Sequence, residues 1–165
     1  VRQGAITHQD SLGNLGRTEA GDVQVMSAGT GVRHAEYNVE PGVTTLFQIW
    51  IEPTERGGPP SWGQRKFPKS DRSGRFAVLA SGVPGDDALP IRTDARVAGV
   101  TLKAGESATW DLGEGRVAYL VPTGGSVEVD GVRLEPRDGA GVRDQARLTV
   151  TAVEDAEVVL VDAAA

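Results

Sequence analysis

Short segments in which apolar and polar residues alternate recur along the chain, separated by turns rich in glycine and aspartate. These segments are 23–25, 97–102, 116–121, 126–129, 132–134, 148–153 and 157–161. Alternation is the period of a β-strand with one buried face, whereas the 3.6-residue period of an amphipathic helix is hard to find. With 22 Gly and 9 Pro in 165 residues, the sequence predicts an all-β fold of many short strands, closed into a barrel or packed as a sandwich.

Three further segments give sharper predictions. Asp130-Gly131 separates two alternating runs and predicts a hairpin with a type I′ turn, because both turn positions need a positive φ. The nearly continuous apolar run Val43–Ile51 predicts a strand that is buried on both faces. The last residues, from Asp162 onward, are expected to form a short tail.

The middle of the sequence divides the chain. Residues 54–74 are rich in Pro and Gly, carry mixed charges and keep no period. We therefore expect two β units, residues 1–53 and 76–165, joined by a connector over residues 54–75.

Composition excludes several classes of protein. The formal net charge of −6 leaves no electrostatic footprint for binding nucleic acid, and no window approaches 18 consecutive apolar residues. The absence of Cys removes disulfides, thiolate metal sites and Cys nucleophiles, and it fits a reducing cytoplasm. The N-terminus has no apolar leader and no initiator Met, so we expect the gene product to begin upstream of Val1.

One short segment carries candidate chemistry. If residues 32–37 form a strand, His34 and Glu36 lie two positions apart and point to the same face. An imidazole and a carboxylate suit Fe, Mn, Ni, Cu or Zn better than Ca or Mg. Two ligands alone would bind weakly, and a His-x-Glu pair on a strand edge can equally be a solvated pair.

The same segment carries a family resemblance. Gly31-x-x-His34-x-x-x-Asn38 resembles the second conserved motif of the cupin superfamily. A longer set of strings resembles the pirin family: His8-Gln9-Asp10-Ser11-Leu12-Gly13-Asn14, Ala20 to Gly31, His34-Ala35-Glu36-Tyr37-Asn38 and Leu46 to Ile51. The likeness is dense over residues 4–53, whereas residues 54–165 match only in layout. It implies a bicupin, two jelly-roll-like β-barrels, with a metal in the N-terminal barrel alone.

The resemblance also implies a ligand set. Members of that family bind one metal, often iron, through a His-x-His pair, a third His and a Glu; Cu, Ni, Mn and Zn are alternatives. His34 matches the third His and Glu36 matches the Glu. The His-x-His pair belongs upstream of Gly4, so the first barrel is expected to be incomplete in this chain.

The missing strands have three possible sources: the chain is truncated, an N-terminal part exists but is disordered or absent from the sequence, or a partner chain donates them by domain swapping. We expect truncation, and we expect the open barrel edge to pair with a second chain.

Other residues of the resembling segment receive weaker assignments. We interpret His8 as a surface residue or as a neighbour of the ligands, because a ligand needs matching partners in reach. Asp10 and Asn14 are expected to hydrogen-bond their own turn. A second set of residues either lines a pocket in the first barrel or packs in its core: Met26, Phe47 and Trp50. No His follows His34, so the second barrel is expected to hold no metal.

Three functional hypotheses follow from the resemblance. The first is that the complete protein is a dioxygenase that cleaves flavonols such as quercetin with O₂ and releases carbon monoxide, with Glu36 as a metal ligand and as general base on the 3-hydroxyl. The second is a non-enzymatic regulator that binds protein partners and uses its metal as a redox or structural element. The third is a β-barrel remnant without activity.

Overall fold

The computed structural model describes residues 1–165 and is almost entirely β-structure, which confirms the predicted all-β class. One short 3-10 helix covers Lys69–Arg72. No helix is long and apolar enough to span a membrane. The strands are β1 (Ala5–Asp10), β2 (Leu15–Glu19), β3 (Val23–Ser27), β4 (His34–Tyr37), β5 (Ser61–Arg65), β6 (Ala77–Ser81), β7 (Leu89–Pro90), β8 (Ala95–Leu102), β9 (Ser107–Asp111), β10 (Arg116–Gly124), β11 (Val127–Val129), β12 (Val132–Leu134), β13 (Ala140–Val142), β14 (Arg147–Ala152) and β15 (Ala156–Ala164).

The chain forms two compact units. Unit 1 comprises residues 1–68 and 89–93, and unit 2 comprises residues 69–88 and 94–165. The stretch that was predicted to be a connector is not free of regular structure, because β5 lies inside it and pairs with β3. The local sequence hides this strand, since Pro59-Pro60 precedes it and Pro68 follows it closely, while its pairing partner lies far away in the sequence.

Unit 1 contains two small antiparallel sheets. The first has the strand order β2-β1-β4, and the second is the pair β3-β5. Neither sheet closes on itself into a barrel.

The predicted strand Val43–Ile51 is wrong. Only Thr45 forms a bridge, an isolated one to Gln3, and Phe47 and Trp50 are 41% and 87% exposed. A strand that is buried on both faces needs hydrogen-bonding neighbours and cover on each side, and this structure gives the segment only one isolated bridge and leaves most of it exposed.

Unit 2 is built from two sheets over one apolar core. One sheet has the order β13-β10-β15-β8-β6, and the other has the order β12-β11-β14-β9. Alternate residues of β14 and β15 are buried, as expected for strands with one face toward a core. The largest core side chains are fully buried leucines and valines: Leu102, Leu112, Leu120, Leu148, Leu160, Val100, Val127, Val150 and Val158.

Two local predictions for unit 2 have opposite outcomes. The hairpin is confirmed, because β11 and β12 pair around Asp130 and Gly131, whose φ angles are +48° and +85°. The predicted tail is wrong, because β15 continues to Ala164. Asp162 lies in that strand fully buried, accepting hydrogen bonds from Trp110 Nε1 at 3.0 Å and from Arg116 Nε at 2.6 Å.

Candidate functional site

Two neighbouring strands of unit 1 bring four ionisable side chains to one face. In the antiparallel pairing of β1 and β4, His8 lies opposite Glu36 and Asp10 lies opposite His34. Residues that are directly opposed in an antiparallel pair share a face, and so do residues two apart in one strand. His8, Asp10, His34 and Glu36 therefore form a single cluster.

His8 occupies the centre of this cluster. It is fully buried, so it is not a surface residue. Its Nδ1 lies 2.8 Å from Glu36 Oε1, and its Nε2 lies 3.1 Å from Asp10 Oδ2. Both imidazole nitrogens thus contact carboxylates, whereas the side chain of Glu36 remains 29% exposed.

Asp10 is held by the turn that follows β1, as predicted. Its Oδ1 accepts hydrogen bonds from the backbone amides of Leu12 and Asn14 at 2.9 and 3.0 Å, and its Oδ2 accepts one from Asn14 Nδ2 at 2.9 Å. Burial alone would raise the pKa of Asp10, but the hydrogen bonds from Asn14, His8 and the backbone outweigh it and hold the pKa well below its ordinary value. Asp10 is therefore an ionised acceptor for His8 Nε2.

The β3-β5 sheet faces this cluster with polar side chains. Gln24 pairs with Gln64 across the two strands, and Gln24 Nε2 donates to Glu36 Oε1 at 2.9 Å. The buried Thr18 on β2 places its Oγ1 3.2 Å from Gln24 Oε1 and 3.0 Å from Gln64 Oε1. Because the hydroxyl of Thr18 lies beside the amide oxygen of Gln24, the amide nitrogen of Gln24 points to Glu36.

An indole ring covers the imidazole of His8. The rings of Trp62 and His8 stack with centres 4.7 Å apart and planes 6° apart, and the ring of His34 stacks on His8 with centres 5.7 Å apart. Gly16, which pairs with His8 across β1 and β2, makes room for the indole, because a Cβ there would collide with Trp62 Cη2. The buried Nε1 of Trp62 has no hydrogen-bond partner.

The donors of the cluster meet only part of the requirement for a metal. His34 and Glu36 share the face of β4, and imidazole with carboxylate suits a transition metal. However, no group of three or more His, Cys, Asp or Glu residues has an arrangement that could hold a metal ion. His8 contacts both Asp10 and Glu36 through its two ring nitrogens instead, so the residues present do not form a complete metal site by themselves.

The remaining predicted pocket residues lie in different settings. Met26 pairs with Trp62 across β3 and β5, is half-buried and shares the face that carries Gln24. Phe47 and Trp50 lie in the unpaired segment after β4 and are exposed. Their role as pocket lining stays a prediction.

Sequence reasoning did not single out two residues that contact the cluster, Gln24 and Trp62. In β3, Gln24 lies between Val23 and Val25, and this alternation gives only a weak sign that its side chain points toward the cluster. No local sign identifies Trp62, because its position over His8 depends on the pairing of β3 with β5.

Comparison with known proteins gives matches along nearly the whole chain. Residues 1–51 match the family described as Pirin, and residues 78–163 match the family described as the quercetinase C-terminal cupin domain. A pirin-like protein of Caulobacter vibrioides is 70% identical over 165 residues, which cover 99% of this chain and 71% of that protein. Quercetin 2,3-dioxygenase of Escherichia coli K12 is 35% identical over 165 residues, which cover 98% of this chain and 69% of that protein.

A solved structure has the same fold. The crystal structure of the bacterial pirin YhhW from Escherichia coli in complex with nickel(II) matches with a TM-score of 0.88 and 34% identity, covering 99% of this chain and 70% of that one. The likeness confirms the expected cupin fold.

Proposed function

Because this chain belongs to the pirin family, we propose that it acts as a metal-dependent dioxygenase that cleaves flavonols such as quercetin with O₂ and releases carbon monoxide. The observation that carries the proposal is the placement of His34 and Glu36 on one face of β4, opposite the buried His8. The name of the Escherichia coli relative, quercetin 2,3-dioxygenase, supports the choice of substrate class.

His34 and Glu36 are proposed as two of the ligands of one divalent transition metal. The resemblance assigns the other two positions to a His-x-His pair, and the sequence contains only His8 and His34. We propose iron as the metal, with Cu, Ni, Mn and Zn as alternatives that the same donors suit. A related pirin has been crystallised with nickel(II), which supports a divalent ion at this kind of site.

Glu36 is proposed as the general base. Its carboxylate is partly exposed on the shared face, so it can come within hydrogen-bond reach of a flavonol 3-hydroxyl. Proton transfer breaks the O–H bond, leaves the electron pair on the flavonol oxygen and places the proton on the carboxylate. The unpaired Nε1 of Trp62 offers a hydrogen-bond donor, and Met26, Phe47 and Trp50 are proposed to line a pocket for the flavonol.

The test combines two measurements on one purified sample whose intact mass is known. Plasma mass spectrometry measures metal per chain, and aerobic absorbance spectroscopy follows the loss of quercetin. Where the His-x-His pair is supplied as well, we expect stoichiometric metal and metal-dependent loss of quercetin. Stoichiometric metal without turnover would instead favour the regulator that binds protein partners, and absence of both would favour an inactive remnant.

We propose that the protein works in the cytoplasm. Its sequence has no Cys, so its fold does not depend on disulfides or on an oxidising compartment.

A further inference from the structure

Unit 2 contains a groove beside β9, the last strand of its sheet, which pairs with β14 along one edge only. The groove has a volume of about 490 Å³, within the range of about 300–1,000 Å³ that is usual for small-molecule sites. Its walls are Gly74, Arg75, Phe76, Arg96 and residues 107–111. All of these residues belong to unit 2, so the groove shares none with the cluster of unit 1.

Two aromatic rings form the apolar part of the groove. The rings of Phe76 and Trp110 meet edge to face, with centres 5.6 Å apart and planes 72° apart, and both side chains pack against the apolar core. Trp110 Nε1 donates to Oδ2 of the fully buried Asp162 at 3.0 Å. The indole is therefore anchored through its only donor, and what it offers a ligand is its apolar ring surface.

Two arginines supply the polar part of the groove. Arg96 Nε donates to Asp86 Oδ2 at 2.7 Å, and Arg75 Nε donates to the backbone oxygen of Asp71 at 3.4 Å. No hydrogen bond in the structure uses the two terminal nitrogens of either guanidinium. A guanidinium offers a planar fork of donors that matches the two oxygens of a carboxylate. Both arginines thus keep donors for a ligand with anionic oxygens.

The charges at the groove favour a ligand with a single negative charge. Asp86 balances Arg96, and Arg147 lies 2.5 Å from Asp111 and balances it. Arg75 forms no ion pair, so its positive charge is left over. One carboxylate would compensate this charge, whereas the second charge of a dianion would meet no further unpaired cation and would be repelled by Asp111.

We propose that this groove of unit 2 is a binding site for an aromatic carboxylate. The aromatic ring of the ligand packs against Phe76 and Trp110, and its carboxylate accepts hydrogen bonds from the terminal nitrogens of Arg75, with Arg96 as the second cation. The inference does not depend on the proposed function, because neither a metal nor a flavonol takes part in it.

The test titrates the purified protein with 1-naphthoate and, separately, with its uncharged counterpart 1-naphthalenemethanol. The indole N–H resonance of Trp110 reports binding. The sequence contains three tryptophans, so the variants Trp50→Phe and Trp62→Phe assign this resonance. We expect 1-naphthoate to shift it saturably. We expect the alcohol to bind about tenfold or more weakly, because hydrogen bonds between two charged groups are the stronger ones.

Three variants locate the ligand. Arg75→Gln changes an exposed side chain and is expected to weaken 1-naphthoate about fivefold or more while leaving the alcohol unchanged. Phe76→Leu keeps an apolar side chain, removes the ring and is expected to weaken both compounds about threefold. Arg143→Gln, at an exposed arginine that does not line the groove, is the matched control and is expected to bind both compounds as the wild type does.

The same resonance guards against misfolded variants. Without ligand, its position reports whether the hydrogen bond from Trp110 to Asp162 is intact. Absence of a saturable shift at Trp110 in the wild type would overturn the site. Equal affinities for 1-naphthoate and its alcohol, or equal 1-naphthoate affinities in wild type and Arg75→Gln, would overturn the recognition of a carboxylate.

Discussion

The imidazole of His8 and the indole of Trp62 lie parallel, with ring centres 4.7 Å apart and planes 6° apart. This stack joins the two sheets of unit 1, because His8 lies in β1 and Trp62 in β5. It depends on Gly16, whose missing side chain leaves the space that the indole fills.

Replacing Gly16 tests whether the stack is tightly packed. In Gly16→Ala the new Cβ would overlap Trp62 Cη2, so the indole must shift away from His8. We expect the free energy of unfolding to fall by about 1–3 kcal/mol, the usual cost of overpacking. Urea titration monitored by tryptophan fluorescence measures the loss.

The matched control is Gly141→Ala, another strand glycine, where no atom lies within 4 Å of an added Cβ. It should leave the unfolding midpoint nearly unchanged. Equal midpoints for both variants and the wild type would show that the indole does not fill the space beside Gly16.

The core of unit 2 predicts a large cost for truncation at Leu160. This side chain is fully buried in β15, a strand paired on both edges by β10 and β8. Leu160→Ala should lower the free energy of unfolding by about 2–5 kcal/mol, since it removes apolar contacts and leaves a cavity. Val132→Ala, at a side chain that is 62% exposed in β12, should change it by less than about 0.5 kcal/mol. Similar losses for the two variants would contradict the assigned core.

Unit 2 also carries a carboxylate that stabilises the fold in a pH-dependent way. Hydrogen bonds from Arg96 Nε at 2.7 Å and Ser81 Oγ at 2.6 Å lower the pKa of Asp86. A lowered folded-state pKa gives stability that is fully present above the unfolded value of about 3.9 and is lost as the pH falls through the folded value.

The pH dependence can be isolated with Asp86→Asn. The difference in unfolding free energy between wild type and variant should be largest above about pH 5 and should shrink as the pH falls below about 4. Urea titrations at a series of pH values measure it. A difference that is constant or grows toward low pH would contradict the assigned pairing of Asp86 with Arg96 and Ser81.

Local patterns predicted the parts of the fold that depend on neighbours in sequence. Alternation located seven of the fifteen strands, Asp130-Gly131 located a hairpin, and the two-residue spacing of His34 and Glu36 placed them on one face. Features that depend on the pairing of strands distant in sequence were missed. The strand β5 was hidden inside a Pro- and Gly-rich stretch, and with it Trp62, whose role follows from the register of β3 with β5.

The two wrong predictions have the same physical origin. An apolar run such as Val43–Ile51 becomes a buried strand only where other strands pair with it and cover it, and the run itself does not carry that information. The C-terminal residues were expected to form a tail, yet Asp162 is buried in β15, where Arg116 and Trp110 compensate its burial from strands distant in sequence.

The exposed apolar side chains after β4 lead to a prediction about assembly. Phe47 and Trp50 lie in a segment without strand partners, and pairing of an open edge with a second chain would cover them. Light scattering should show a mass that rises with protein concentration, and the variant Phe47→Ser with Trp50→Ser should reduce that rise. Val132→Ser, at an exposed valine of unit 2, is the control. A mass equal to one chain at all concentrations would contradict self-association.

The most direct test of the central claim is the carbon monoxide released per quercetin consumed by the metal-loaded protein, with Glu36→Gln measured alongside. The wild type should release carbon monoxide in equimolar amount to the quercetin and O₂ consumed. Glu36→Gln should retain its metal and lose turnover by about a hundredfold or more, because it removes the proposed general base. Glu40→Gln, at a carboxylate that pairs with Arg17 at 2.8 Å, should match the wild type. Loss of quercetin without carbon monoxide, or full turnover by metal-loaded Glu36→Gln, would contradict the account.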